Sequence, residues 1–436
     1  MFKYIISVFC TLFISVLATK CGVEKNVDVQ VDNSPIDISS PRPSAKLQGV
    51  TLNEDQVACV RNGNDFSFRC LKAIFENSEG ENIVYSPLSL QYALAMAANG
   101  ADEEVARVIT ETIGCGDIQS MNSFMTILLN QLPALDPNVE LKVTDAVLIN
   151  DKFKADASFK STMNNVYYAP VEYVSLRNPE VVLDRINEWA SRNTNGLINP
   201  FLYKSDIGND LLAILMNALY FKAPWNKFLA FVPELALKDS PFYLDDGGTI
   251  NVDYMYSDAY LNYSRRAGYE VLELPYAGNK YAFYVLLPDG RNGLGIQALF
   301  DCLSADEWEK IIDETRISRE VVVFLPSFEI SKRYQLKQAL VSLGVGKAFS
   351  SAGFDRMILK NNKQYSCDLS EVIQKSRIKV TEWGTEAAAV TADLMIGDSG
   401  IERKPTVFKA DHPFAFVIVE KTSGVILFEG VFTGKE

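Results

Sequence analysis

Apolar residues recur at a helical spacing mainly in the first half of the chain, which predicts amphipathic or buried helices there. Three helices are predicted from this spacing, two in the first half at residues 88–98 and 184–191 and a third in the second half at residues 334–343. The first follows Ser86 and Pro87, which suit a helix cap and a first helical turn, and it ends near Gly100. Its body is almost wholly apolar or small, so this helix should be buried on most sides.

Runs of β-branched and aromatic residues dominate the second half of the chain and predict strands. Four such runs occupy residues 281–287, 321–324, 414–419 and 425–428. Helices early in the chain and strands late in it favour an α+β fold. No internal repeat or linker follows residue 55, so residues 56–436 are predicted to form one large domain.

Residues 1–20 have the pattern of an export signal. Lys3 supplies a short positive region, residues 4–17 are apolar, and small side chains end at Ala18. An ordinary signal peptidase would therefore release a chain that begins at Thr19. The protein is predicted to be extracytoplasmic, as is typical of an exported bacterial protein.

Cleavage before Cys21 is the alternative, because residues 17–21 resemble a bacterial lipoprotein box with Cys21 as the lipidated residue. Lys20 departs from the small residue that such a box has before its cysteine. Residues 21–55 are polar, show no helical or strand period and are predicted to be a flexible tether. A long tether after the cysteine favours a lipid anchor at the cell surface over free secretion.

Charge and cysteine usage narrow the function. A net charge of −13 argues against nucleic acid as the main partner, since such binding needs a basic face. Five cysteines lie beyond the signal and Cys21, with no regular spacing, so they are predicted to be buried small hydrophobes rather than a disulfide framework. These are Cys59, Cys70, Cys115, Cys302 and Cys367.

Enzymatic chemistry has little support in this sequence. The only histidine is His412, which stands immediately before an apolar strand. Catalytic triads and histidine zinc sites need imidazoles, and a structural role fits this position better. No phosphate-binding loop is present. The protein is therefore predicted to be neither an enzyme nor dependent on a metal or cofactor.

The run after Gly384 is the most informative stretch. It reads Thr385-Glu386-Ala387-Ala388-Ala389-Val390-Thr391, so its side chains are small apart from Glu386. Gly384 tolerates backbone dihedrals that a β-carbon forbids, so it suits a hinge. The segment could be an exposed loop and could also fit as a strand between two others.

This hinge, from Glu382 to Ala389, resembles the reactive-loop hinge of inhibitory serpins. Four more motifs resemble that family, in the family's order, and together they span essentially residues 56–436. They are Asn82-Ile83-Val84-Tyr85-Ser86-Pro87-Leu88-Ser89, Asn217-Ala218-Leu219-Tyr220-Phe221-Lys222-Ala223-Pro224-Trp225, Leu272-Glu273-Leu274-Pro275-Tyr276 and Phe408-Lys409-Ala410-Asp411-His412-Pro413-Phe414-Ala415-Phe416.

The resemblance implies a fold of three β-sheets and eight or nine helices, with an exposed reactive-centre loop above a five-stranded central sheet. It also implies a suicide-substrate inhibitor of serine, or else cysteine, endopeptidases. The protease cleaves the loop and is trapped as an acyl-enzyme, while the loop inserts into the central sheet as an extra strand. A monomer that forms a covalent complex with its target protease is expected.

Alternation along an inserted strand makes Thr385 and every second residue after it face inward. The first of these are small, which favours fast insertion; the full set is Thr385, Ala387, Ala389, Thr391, Asp393, Met395 and Gly397. Asp393 is the exception, because burying a carboxylate without a partner is costly. The hinge residues carried over from the family are Glu382, Gly384, Thr385, Glu386, Ala387, Ala388 and Ala389.

Family loop spacing places the reactive bond between Asp398 and Ser399, which would imply a protease that prefers acidic residues. Cleavage a few residues earlier, at Leu394, Met395 or Ile396, would instead suit chymotrypsin-like or elastase-like enzymes. Both alternatives stay open on the sequence.

The resemblance also assigns structural roles under the central sheet. Ser86, Ser89 and Asn217 match the polar cluster that the loop must open, and Trp225 matches the point where insertion begins. Gln374 stands where the family usually has a histidine, so this position should not titrate. A non-inhibitory serpin, acting as a protease substrate or binding protein, is the competing hypothesis. Its members tend to carry charged or bulky inward hinge residues, unlike this chain.

Overall fold

The computed structural model describes residues 9–19, 48–208, 211–290, 295–350, 353–359, 367–385 and 405–436. Within these ranges the chain forms nine α-helices: α1 (Glu54–Glu76), α2 (Pro87–Gly100), α3 (Glu103–Thr112), α4 (Ile118–Gln131), α5 (Ala157–Val166), α6 (Pro179–Asn193), α7 (Ile296–Cys302), α8 (Ala305–Glu314) and α9 (Lys337–Ser342). None of these helices is long and apolar enough to cross a membrane.

Sixteen strands occupy the same described ranges. They are β1 (Phe9–Thr19), β2 (Ile83–Tyr85), β3 (Glu140–Asn150), β4 (Val171–Val174), β5 (Leu211–Pro224), β6 (Leu237–Tyr243), β7 (Thr249–Arg266), β8 (Tyr269–Pro275), β9 (Tyr281–Pro288), β10 (Ser318–Pro326), β11 (Phe328–Gln335), β12 (Cys367–Thr381), β13 (Gly384–Thr385), β14 (Thr406–Lys409), β15 (Phe414–Glu420) and β16 (Ile426–Phe432). The α+β fold predicted from the sequence is confirmed.

Helix α2 begins and ends where its sequence predicts. Ser86 caps it by accepting a hydrogen bond from the Ser89 backbone N–H, and Pro87 fills the first helical position, where its missing N–H costs nothing. The helix is almost completely buried because it lies between the two sheets of the molecule and contacts both β5 and β16. Helix α2 is therefore in direct contact with both sheets.

The helix predicted over residues 334–343 begins later than expected. Tyr334 and Gln335 still belong to β11, where they pair with Gln374 and Ile373 of β12, and α9 starts only at Lys337. Sheet pairing outweighs local helical periodicity for these two residues. The predicted end is correct within two residues, because Gly344 adopts a left-handed φ of 104° just beyond the helix.

The central sheet is built from five strands with an opening that two further strands fill. Strands β11 and β12 form one side, and β5, β3 and β4 form the other. Strand β13 and the eleven-residue β1 lie between β12 and β5, each antiparallel to both neighbours. We call this opening between β5 and β12 the slot.

Strand β1 overlaps the predicted export signal. Its backbone pairs with β12 from Cys10 to Thr19 and with β5 from Phe9 to Ala18. Removal of residues 1–20 on export stays a prediction, as does lipidation of Cys21, which lies outside the described residues. Strand β1 does place the N-terminal segment of the unprocessed chain inside the slot.

The remaining nine strands form one continuous sheet rather than two separate ones. Strand β7 pairs first with β6, then with β10 up to Asn262, and finally with β8 from Asn262 onward. Because β7 changes partners along its 18 residues, it joins the two smaller sheets that the family resemblance implies. The described strands therefore form two hydrogen-bonded sheets instead of three.

Two hydrophobic cores flank the central sheet. The larger one fills the space between the two sheets around α2, and the smaller one packs α6, through Trp189 and Ile186, on the opposite face of β5. Four of the five cysteines beyond residue 21 are buried as predicted. Cys302 is the exception, since it lies exposed at the end of α7.

Candidate functional site: the slot in the central sheet

The upper end of the slot is already occupied by the first residues of the hinge. After β12 the chain turns at Glu382 and Trp383 and runs back as β13. Thr385 pairs with Val380 on one side and with Ala223 on the other, and so lies between β12 and β5. The first two residues after the turn, Gly384 and Thr385, therefore form a short strand of the central sheet.

Gly384 is required at this turn for two physical reasons. Its φ of 128° is a conformation that L side chains rarely adopt. A β-carbon there would also lie 2.4 Å from the Ala223 carbonyl oxygen and 2.7 Å from the Pro224 Cα. Because both obstacles are backbone atoms of β5, any larger residue would force the hinge away from the slot.

Thr385 faces the protein interior and is completely buried. Its Oγ1 is 2.6 Å from the Tyr276 hydroxyl, and the two groups share a hydrogen bond. Burial raises the pKa of Tyr276 well above its ordinary value, so this hydroxyl keeps its proton. A small hydroxyl side chain at position 385 therefore suits this space.

Trp225 completes the upper end of the slot. Its ring stacks on Tyr276 with centroids 4.8 Å apart and an interplanar angle of 8°. Its Nε1–H donates to the Thr381 carbonyl oxygen at 2.9 Å, and its backbone N–H donates to the Trp383 carbonyl oxygen at 3.4 Å. Trp225 thereby ties the end of β12 to the turn that precedes β13.

The side chains of the turn itself point outward. Trp383 is 39% exposed and Glu382 is partly exposed. The Thr381 hydroxyl donates to the Gly384 carbonyl oxygen at 3.1 Å, which closes the turn. The Trp383 ring is therefore substantially exposed to solvent.

A buried polar cluster lies lower in the slot, at the start of α2. On the β12 side, Gln374 donates from Nε2 to the Ser86 carbonyl oxygen at 2.9 Å and accepts from the Ser86 N–H at 3.2 Å. The Ser86 hydroxyl in turn donates to the Leu427 carbonyl oxygen at 2.7 Å. Gln374 thus fastens β12 to the helix start through neutral groups.

The β5 side of the cluster reaches the same helix through Asn217. Its side-chain oxygen accepts from the Ser89 hydroxyl, and its Nδ2 donates to Asp145 of β3 at 2.7 Å. Ser89 and Ser86 are themselves joined, because the Ser86 hydroxyl accepts from the Ser89 N–H. Both walls of the slot are therefore attached to one helix N-terminus.

Strand β1 occupies the path that a longer β13 would take. If β13 continued in its present register, position 387 would lie opposite Phe221 of β5 and position 388 would lie opposite Arg377 of β12. Phe9 and Cys10 hold those two pairings. The slot thus holds a strand that continues the direction and register of β13.

His412 lies away from the slot. Its Nε2 is 2.6 Å from the Pro288 carbonyl oxygen and its Nδ1 is 3.1 Å from an Asp411 carboxylate oxygen. Burial opposes its charge, but these two acceptors raise the pKa of His412 above its ordinary value. Neither partner is the serine or cysteine side chain that a histidine-based catalytic triad activates, so the contacts fit the structural role predicted from the sequence.

Some of the predicted site residues lie outside the described ranges. Two contacts in the site were not predicted from the sequence. Residues 386–404 are outside the described ranges, including the rest of the hinge, the bond between Asp398 and Ser399, and the alternatives Leu394, Met395 and Ile396. The sequence did not reveal that Tyr276 pairs with Thr385 or that Asp145 joins the polar cluster. Tyr276 ends a recognised motif, which is the only signal that pointed to it.

Comparison with known proteins gives one consistent family. A family model described as "Serpin (serine protease inhibitor)" matches residues 61–434. Antichymotrypsin-2 of Bombyx mori is 32% identical over 377 residues, which cover 86% of this chain and 97% of that protein. These matches span nearly the whole described domain.

Solved structures agree on the fold. Serpin48, described as a highly specific serpin in the insect Tenebrio molitor, aligns with a TM-score of 0.74 and 27% identity, covering 88% of this chain and 99% of that one. Human thyroxine-binding globulin complexed with its ligand aligns with a TM-score of 0.74 and 23% identity, over 86% and 98% of the two chains. The second likeness bears on fold alone.

Proposed function

The chain belongs to the serpin family, and we propose that it is an inhibitory member that traps serine endopeptidases, or else cysteine endopeptidases, by loop insertion. The observation that carries this proposal is the position of Thr385, buried and paired between β5 and β12. Insertion of the loop would extend the strand pairing that Thr385 already makes with β5 and β12. The target protease would be the partner, held as a covalent acyl-enzyme.

The energetics favour insertion once the loop is cut. Each backbone hydrogen bond contributes about 1 kcal/mol net, so a strand of about ten residues paired on both sides would gain on the order of 10 kcal/mol. That gain is comparable to the whole free energy of unfolding of an ordinary domain, about 5–15 kcal/mol. The pairing of β1 along both walls supports a slot able to hold such a strand.

The residues at the hinge support an inhibitor over a non-inhibitory serpin. The inward positions after Thr385 are Ala387, Ala389 and Thr391, and none of them is charged or bulky. A charged residue here would have to be desolvated before the strand could close, which would give the acyl-enzyme time to hydrolyse. Small residues remove that delay.

For the reactive bond we propose Asp398-Ser399, with the bonds around Leu394, Met395 and Ile396 as the alternative. The first would direct the inhibitor to proteases that prefer acidic residues, and the second to chymotrypsin-like or elastase-like enzymes. We further propose that the protein acts as a monomer outside the cytoplasm, either secreted or lipid-anchored through Cys21.

A panel of proteases tests the proposal. The chain is incubated with acid-specific, chymotrypsin-like, elastase-like and trypsin-like enzymes, and the products are boiled and separated on denaturing gels. We expect a covalent complex with at least one enzyme, with the new chain terminus located by mass spectrometry after Asp398. A terminus between residues 394 and 397 would instead select the alternative bond.

Cleavage by every protease without any complex would contradict inhibition. It would support the competing function, a non-inhibitory serpin that serves as a substrate or binding protein. The likeness to thyroxine-binding globulin concerns the fold and does not itself favour that function.

A further inference from the structure

Two of the buried cysteines lie together at a junction between helices. Cys59 is in α1, and Cys115 is in the turn that connects α3 with α4. Only 3% of Cys59 and 6% of Cys115 are exposed. Their separation in the sequence gives no hint of this proximity, and regular cysteine spacing is absent from the chain.

The turn that carries Cys115 is pressed against α1. Gly114 has a φ of 94°, and a β-carbon on it would lie 2.6 Å from the Asn62 Cβ and 2.7 Å from the Gly63 backbone nitrogen. The Asn62 amide donates to the Gly114 carbonyl oxygen at 3.3 Å. Asn62 follows Cys59 by one helical turn, so this packing brings Cys115 to Cys59.

The two thiols are hydrogen-bonded to each other. This bond lowers the pKa of the Cys59 thiol and outweighs burial, which acts in the opposite direction. The thiolate is the form of a cysteine that attacks a disulfide.

We propose that Cys59 and Cys115 form a disulfide bond that fastens α1 to the turn between α3 and α4. A small-molecule disulfide such as oxidised glutathione would be the oxidant. While the chain refolds and both cysteines are still exposed to solvent, the thiolate of one cysteine attacks it and releases one reduced glutathione, and the thiolate of the other cysteine then displaces the second. The two cysteines lose two electrons and two protons in total, and the oxidant becomes two thiols.

The other described cysteines provide internal controls. Cys70 is buried beside Tyr85. Cys367 is also buried, and the charged group that acts on it is Asp368 rather than another cysteine. Cys302 is exposed on α7. None of these three is placed against Cys59 or Cys115. A bond restricted to Cys59 and Cys115 is therefore a specific expectation.

The test refolds the full chain with oxidised or with reduced glutathione, then alkylates it under denaturing conditions and maps the peptides by mass spectrometry. We expect a linked pair of peptides that contain Cys59 and Cys115 after oxidation, and its loss on reduction. The double variant Cys59→Ser/Cys115→Ser should lack the pair, whereas Cys302→Ser should keep it.

A stability measurement makes the test independent of the mapping. Closing a loop of roughly 57 residues should raise the midpoint of thermal unfolding by roughly 5 °C or more in the oxidised chain, with no such difference in the double variant. If both thiols are alkylated after oxidative refolding to the native fold, or if either pairs with another cysteine, the proposal is wrong. This result does not depend on protease inhibition.

Discussion

The upper end of the slot and the polar cluster lower down hold the same two strands in different ways. At the upper end, β5 and β12 are already separated by Gly384 and Thr385, and the contacts there involve backbone atoms and aromatic rings. Lower down, Gln374 and Asn217 attach the two walls to the start of α2 through side-chain hydrogen bonds.

The two places therefore correspond to two different requirements of the proposed loop insertion: which side chains can enter the slot, and how firmly its walls are held. The upper end sets what enters, because a β-carbon at position 384 would collide with backbone and the side chain at position 385 must fit beneath the sheet. The cluster determines how firmly the two walls are attached to the start of α2. It does so through side-chain hydrogen bonds, and breaking such a bond in favour of a new partner has only a modest net cost in free energy. Changes at the two places should therefore differ in kind.

The largest effect on trapping is expected from Thr385→Arg. Burying an unpaired guanidinium costs several kcal/mol, and every 1.4 kcal/mol is about tenfold in an equilibrium. The variant should be cleaved as a substrate, with complex formation reduced by at least about tenfold on a denaturing gel. Trp383→Arg is the matched control, since its side chain is already 39% exposed, and it should keep trapping.

A large effect is also expected from the N-terminal segment, because β1 occupies the slot that the proposed loop insertion would need. The unprocessed chain should form little complex, and a chain that begins at residue 20 should form it readily. Val16→Pro in the unprocessed chain should partly restore trapping, since proline removes a ladder hydrogen bond from a central strand. Equal trapping by the full and shortened chains would refute this competition.

Tyr276→Phe should have an intermediate effect. It removes the hydroxyl that pairs with Thr385 and leaves a buried group without that partner, at a cost of about 1–3 kcal/mol in the free energy of unfolding. Tyr281→Phe is the matched control, because its buried hydroxyl donates to the Leu132 carbonyl oxygen at 2.7 Å, away from the hinge. Urea unfolding should show similar losses, while the fraction of inhibitor consumed as substrate should change only in Tyr276→Phe.

The smallest effect on trapping is expected from Glu429→Gln, which lies outside the slot. Burial raises the pKa of Glu429 to about 8, and hydrogen bonds from Ser67 and Tyr85 only partly oppose this. The folded state thus holds a proton that the unfolded chain loses near its ordinary value of 4.5. The stability it contributes is complete below that value and is lost as the pH rises towards 8.

Urea unfolding at several pH values checks this sign. Between pH 5 and 8 the free energy of unfolding of the native chain should fall by up to about 1.4 kcal/mol per pH unit from this group. His412 contributes in the same direction, because its pKa is also raised in the folded state. The difference between the native chain and Glu429→Gln isolates Glu429, and a pH-independent difference would rule out the assigned protonation.

The parts of the fold with strong local signals were predictable from the sequence. Ser86, Pro87 and the apolar run after them determine α2, and the β-branched and aromatic run at residues 281–287 forms β9 as predicted. Tyr334 was assigned to a helix because its pairing with β12 depends on residues far along the chain. Such pairing has no local signature.

The site divides in the same way. Gly384 and Thr385 were identified because a hinge followed by small residues is visible in the sequence. The partner hydroxyl of Tyr276 lies 109 positions from Thr385, and only folding brings them together. Residues 9–19 were interpreted as part of an export signal, and their apolar character fits a strand equally well, since periodicity does not distinguish the two.

Under the proposed mechanism, the cleaved loop becomes a strand between β5 and β12. Hydrogen exchange measured by mass spectrometry tests it directly on a chain that begins at residue 20, before and after cleavage of the reactive bond. Amides of residues 386–395 should exchange far more slowly in the cleaved chain than in the intact chain, as those of a central strand would. Equal exchange in the intact and cleaved chains would contradict it.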